Sequence, residues 1–81
     1  MNRKDLIASN LRAHRARHRL SQMDVAKALD VNIGTIRHYE AGDTCPDYIT
    51  AWKLADLYDV TLDDLGGRKT KRDSQLEAVK E

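Results

Sequence analysis

The chain has 81 residues, a third of them charged, and a formal net charge of only +1; it is expected to form one small domain with a modest core. Its single cysteine, Cys45, excludes an internal disulfide and a Cys-pair zinc site, a usage that fits a reducing cytoplasm. No apolar run follows Met1-Asn2-Arg3-Lys4-Asp5 to make a signal peptide, and no segment nears the ~20 apolar residues a spanning helix needs, so a cytoplasmic protein with no membrane segment is expected.

The first helix is predicted from Asp5 to about His18, where Leu6/Ile7, Leu11 and His14 recur at three- and four-residue steps. Arg19-Leu20 is a short connection. Ser21 has the chemistry of an N-cap, with Asp24 three residues on as its capping-box partner. The second helix then runs to about Leu29, and Val25, Ala26 and Leu29 form its apolar face. Asp30-Val31-Asn32 makes a three-residue turn, and the Asn32 side chain caps a third helix. Gly42 stops that helix.

Asp43-Thr44-Cys45 is a loop, and Pro46 is expected to open the fourth helix, where its missing N–H does no harm. That helix runs to about Tyr58, with Tyr48, Ala51, Trp52, Ala55 and Tyr58 on one side and Leu54 beside them. Thr61-Leu62-Asp63-Asp64 repeats the capping signature and starts a short fifth helix around Leu62 and Leu65, and Gly66-Gly67 ends the fold. These elements imply an all-α, compact five-helix fold. Its domain is expected over residues 1–66, followed by a charged tail over 67–81, flexible or a short helix.

Charge is unevenly spread. Before Glu40 the chain carries eight basic residues against three acidic ones. From Glu40 to Leu65 it carries seven acids against the single base Lys53. Beyond Leu65, five bases face three acids. Such polarity lets one face meet phosphates while another stays soluble, though ordinary solvated surface accounts for charge runs as well.

Two short helices joined by a three-residue turn can present the second of the pair to a DNA major groove. The chain moreover resembles the lambda-repressor/Cro-like helix-turn-helix family, also called the xenobiotic-response-element type, over roughly Leu6 to Leu65. The matching pieces are Leu20-Ser21-Gln22, Val25-Ala26, Leu29, Val31, Thr35-Ile36, Glu40-Ala41-Gly42, Pro46, Leu54-Ala55 and Val60 to Leu65. The resemblance implies a five-helix domain whose second helix lies across the DNA backbone and whose third, about 32–41, enters the major groove. It gives Gln22 a hydrogen bond to phosphate, in some members also to a base. It makes Arg15 and Glu40 a partly buried, structural ion pair.

Within the third helix, Ile36 is expected to face the core and Ile33, Gly34, Arg37 and His38 to face outward, with Asn32 and Thr35 near the DNA backbone. Arg37 is the best base reader, because its fork matches the O6 and N7 acceptors of guanine. His38 suits a base acceptor or a phosphate, Ile33 a thymine methyl, and Gly34 a close backbone approach. The DNA-binding set is therefore Gln22, Asn32, Ile33, Gly34, Thr35, Arg37 and His38.

Some features depart from the family pattern. In the loop after the third helix, where basic residues often grip phosphate, stands Asp43, and Asp47 opens the fourth helix; both acids would repel a DNA backbone they faced. His14 takes a place that is usually apolar, as a hydrogen-bonded imidazole or a sign of a looser core. The basic run Arg68 to Arg72 can compensate by reaching phosphates electrostatically.

Other constellations carry less. His14 and His18 are four apart but lack a third metal ligand. Cys45 has no activating base in the sequence near it. Asp63-Asp64 reads as a helix-start pair rather than as catalytic carboxylates. Tyr48 and Trp52 stand at a helical spacing that suits core or subunit contact better than base stacking. No catalytic residue, metal or cofactor is expected, and the protein is not expected to be an enzyme. The expected function is sequence-specific DNA binding by a transcriptional regulator, a repressor in the commoner family mode, with double-stranded DNA as partner. A homodimer is expected to form through helices four and five, with Trp52, Tyr58, Leu62 and the tail as candidates. The rival is a protein-interaction module, such as an antitoxin or adaptor, using the acidic surface from Asp43 to Asp64.

Overall fold

Five helices follow one another along the chain in a computed structural model that describes residues 2–66. They are α1 (Arg3–Arg17), α2 (Gln22–Leu29), α3 (Ile33–Ala41), α4 (Tyr48–Tyr58) and α5 (Leu62–Gly66). The described residues contain no strand. The tail expected over 67–81 lies outside the described residues.

Side-chain caps set where the helices begin. Asn2 accepts the Asp5 N–H at 2.9 Å, so α1 starts at Arg3, two residues before the expected start. Ser21 and Asp24 form the reciprocal capping box, with bonds of 2.9 and 3.0 Å. Asn32 Oδ1 accepts the Gly34 N–H at 2.7 Å, and Thr61 with Asp64 repeats the Ser21–Asp24 arrangement. Pro46 does not open α4. Asp47 caps it by accepting the Thr50 N–H at 2.7 Å, and the helix proper starts at Tyr48. A carboxylate that fills an orphan donor outcompetes a proline that merely tolerates one.

Four helices end alike. The residue after the last turn adopts a left-handed conformation at Arg19 (φ 56°), Asp30 (57°), Gly42 (82°) and Asp59 (55°). The next N–H then reaches back to close the turn: Leu20 to the Arg15 carbonyl, Val31 to Ala26, Asp43 to His38 and Val60 to Ala55. Only one of the four is glycine. Leu20, Val31 and Val60 turn inward directly afterwards and pack against the core, and this hydrophobic contact helps hold the strained residue before each of them.

The core is Leu11 of α1, Val25, Ala26 and Leu29 of α2, Ile36 of α3, Leu54 and Tyr58 of α4 and Leu65 of α5. Each large apolar side chain fully buried here contributes roughly 1.5–3 kcal/mol. α3 packs on α1 and α2, α5 packs on α1 and α4, and α2 also touches α4. Helix α3 is thus held from behind by two others.

His14 and His18 both lean on Tyr58. The His14 ring stacks on it at 5.8 Å, and the His18 ring lies at 5.6 Å with Nε2 2.9 Å from the Tyr58 carbonyl oxygen. Their four-residue spacing serves this tyrosine. His14 is buried by stacking, which is how an imidazole fits a place expected to be apolar.

The expected face of α4 needs correction. Leu54, Ala55 and Tyr58 are buried, but Tyr48, Ile49 and Trp52 are 66%, 64% and 53% exposed. Tyr48 and Trp52 are therefore not core residues, and buried Tyr58 is not available for a subunit contact. The Tyr48 and Trp52 rings instead meet edge to face, 4.9 Å apart, on the outer surface.

Candidate nucleic-acid interface

Helix α3 has two stripes. Ile36 and Glu40 are buried and Ile33 is half-buried against the core. On the opposite side Gly34, Arg37, His38 and Ala41 recur at three- and four-residue steps. Of these Arg37, His38 and Ala41 are exposed and Gly34 is half-exposed. The outer stripe therefore has little bulk at its two ends and two long polar side chains between them.

Arg37 makes no ion pair among the described residues, so its five N–H donors face solvent. Beside it, His38 Nδ1 lies 3.1 Å from an Asp43 carboxylate oxygen. A negative charge thus stands next to the outer stripe, in the loop that follows it. Sequence reading placed Asp43 in that loop but did not find its partner.

The buried stripe is held by a polar network. Glu40 is only 4% exposed. Its carboxylate accepts from Arg15 Nε at 2.8 Å and from Gln22 Nε2 at 3.2 Å. Arg15 also donates to the Leu20 carbonyl at 2.9 Å, and Arg12 donates to the Glu40 carbonyl oxygen. One residue of α3 thereby fastens two arginines of α1 and the first residue of α2. Arg12 was missed by sequence reading. Its spacing of three from Arg15, on one side of α1, is the signal that finds it.

Several predicted site residues have work inside the fold. The Gln22 amide bonds to Glu40, leaving one amide N–H and its carbonyl oxygen for another partner. Asn32 is exposed, but its oxygen caps α3. A Cβ on Gly34 would stand 3.1 Å from that oxygen, so this glycine gives the Asn32 cap its room. Ile33, expected to point outward, is half-buried because its apolar side chain gains more from the core than from water. Thr35 is half-buried beside it. Arg37 and His38 are the members of the set that project from the helix with no backbone-capping or core-packing duty.

No group of three or more metal-ligating side chains assembles among the described residues. No helix among them is long and apolar enough to cross a membrane.

Two capped helices joined by a tight turn, the second held from behind with a polar outer stripe, define a helix-turn-helix DNA-binding domain. The helix-turn-helix family profile matches residues 11–65, and the chain belongs to that lambda-repressor/Cro-like family of DNA-binding transcriptional regulators. It is similar to an uncharacterised helix-turn-helix-type transcriptional regulator of Methanocaldococcus jannaschii, with 37% identity over 57 residues, 70% of this chain and 86% of the relative. No solved structure matches the chain at a significant level.

Proposed function

We propose that this protein is a cytoplasmic, non-enzymatic repressor that binds specific double-stranded DNA as a homodimer, with residues 1–66 as the binding unit and α3 in the major groove. The observation that carries the reading is Arg37, exposed and without an ion-pair partner among the described residues, on the outer stripe of a helix whose inner stripe is locked by Ile36 and Glu40. A guanidinium so placed suits the two acceptors of a guanine edge. His38 takes a neighbouring acceptor or a phosphate. Gly34 lets the helix approach the bases closely, and Ile33 offers the exposed part of its side chain to a thymine methyl. Asn32, Thr35 and the remaining N–H of Gln22 lie at helix starts, where phosphates are favoured. Repression follows from occupancy of promoter DNA.

A single recognition helix reads few base pairs, so two copies on half-sites one helical turn apart are needed for a specific address. Fluorescence anisotropy with a random-sequence duplex tests the electrostatic part of this reading. Affinity is expected to fall roughly tenfold or more between 50 and 200 mM salt, as releasing counterions into a more concentrated solution gains less entropy. Binding that ignores salt would contradict it.

A further inference from the structure

One side of α1 is turned away from α3. Arg12 and Arg15, which fasten Glu40, occupy the near side of that helix. Asn10, Ala13, His14 and Arg17 recur at three- and four-residue steps on the far side. This second stripe forms one wall of a cleft of about 370 Å³, and Val60 and Asp64, at the start of α5, form the other. The DNA-binding site uses none of these six side chains.

The polar groups of the cleft do not satisfy one another. Arg17 and Asp64 carry opposite charges, yet neither makes an ion pair among the described residues. Asp64 commits one carboxylate oxygen to the Thr61 N–H and keeps the other. The Asn10 Nδ2 is shut off from solvent and donates to no described residue, whereas buried amides are ordinarily paired. His14 is only 7% exposed, and within the described residues its ring is engaged through its face, by stacking on Tyr58.

We propose that this cleft binds a small zwitterion, an α-amino acid with a short side chain. The ligand carboxylate bonds to the Arg17 guanidinium and to the Asn10 amide. That amide turns its N–H inward by rotation about its last torsion, an exchange of nitrogen for oxygen that keeps the shape of the group. The ligand ammonium bonds to the free Asp64 oxygen. The His14 ring, with two nitrogens able to hydrogen-bond, lies between them. Ala13 and Val60 receive the short apolar side chain. A plain anion would meet the charge of Asp64 and a plain cation that of Arg17, so a molecule carrying both charges is the class favoured here. The volume is at the small end for ligand cavities. With so few contacting atoms, a dissociation constant on the order of 1 mM is expected.

Nuclear magnetic resonance titration of the isotope-labelled full chain with L-alanine, to about 50 mM, tests the proposal around that constant. The expected result is a saturable shift confined to the Asn10 side-chain amide and the backbone of residues 13–17 and 60–64. Acetate and ethylamine each carry one of the two charges, and each is expected to bind roughly tenfold or more weakly, for want of one charge-assisted contact. Arg17→Gln and Asp64→Asn are expected to weaken alanine binding to a similar degree. Arg17 is exposed on α1, so its variant keeps the fold even where Asp64→Asn disturbs the start of α5. No saturable shift, acetate bound as tightly as alanine, or binding indifferent to Arg17→Gln would overturn the proposal. Because no DNA is present, this result and that of the DNA-binding reading stand or fall separately.

Discussion

Arg15 Nε sits 2.8 Å from the Glu40 carboxylate, joining α1 to the buried stripe of α3. Removing either partner strands a charge that the fold has taken out of water. Arg15→Ala and Glu40→Ala are each expected to destabilise the protein by about 3 kcal/mol, since both side chains are less than a third exposed. The double variant Arg15→Met/Glu40→Leu is expected to recover most of that loss, because neither charge is then left unpaired. Urea unfolding of the three variants measures it, and a double variant as unstable as either single one would argue against stranded charge as the cause.

The four left-handed helix ends predict which substitutions stabilise. Arg19 has neither glycine's freedom nor the short polar side chain that lets Asp tolerate φ near +60°. Arg19→Gly is expected to raise stability by about 0.5–1 kcal/mol, and Asp30→Gly and Asp59→Gly by less. Gly42→Ala is expected to cost about 1–2 kcal/mol, because φ there is +82°, a left-handed conformation that strains any residue with a Cβ. Thermal melts of the four variants rank them.

Asp43 beside His38 puts a negative charge at the edge of the outer stripe. Asp43→Asn is expected to tighten DNA binding several-fold at low salt, with the gain shrinking as the Debye length falls below about 10 Å. Anisotropy titrations at two ionic strengths check this. Equal gains at both would place the effect elsewhere than in phosphate repulsion.

Stability should depend on pH at both extremes. The hydrogen bonds of Ser21 to Asp24, through its backbone first, and of Thr50 to Asp47, through its side chain first, hold both carboxyls below their ordinary value of 3.8. Their contribution is present above that value and is lost as pH falls through the lower folded value. Asp47→Asn keeps the cap without the charge, so the variant is expected to lose less stability than the parent in acid. At the other end, burial first and the Glu40 charge second push the Tyr58 phenol up to about 12 from 10.0. A phenol protonated more firmly in the folded state stabilises it below pH 10, and that support disappears between 10 and 12. Tyr58→Phe is expected to flatten the alkaline limb of the stability curve, and an unchanged limb would contradict the assignment.

What the sequence discloses follows the range of the interaction. Ser21–Asp24, Asn32 and Thr61–Asp64 act within three residues, so the starts of α2, α3 and α5 are legible without coordinates. Ile36 is legible as core through the family resemblance, with Ala26, Leu29 and Val31 expected to pack around it. Left-handed ends at Arg19, Asp30 and Asp59 are not, because glycine is the usual marker and three of the four lack it. The signal present is the apolar residue directly after each, Leu20, Val31 and Val60. The exposed face of α4 is hidden for another reason. Tyr48 and Trp52 share a helical stripe with Ala51 and Ala55, and periodicity says which residues lie together without saying which stripe faces inward. The link from Gln22 to Glu40 spans 18 residues and needs the packed fold to appear.

The central claim is that the Arg37 side chain reads a base from α3 in the major groove, and selection of bound sites from a random duplex pool by the parent and by Arg37→Ala tests it most directly. The parent is expected to enrich a palindrome with a fixed guanine in each half-site. The variant, unchanged in fold, is expected to lose that guanine alone, at a cost of about 1–3 kcal/mol per half-site. Identical sites from both proteins, or no enriched site from the parent, would contradict the account.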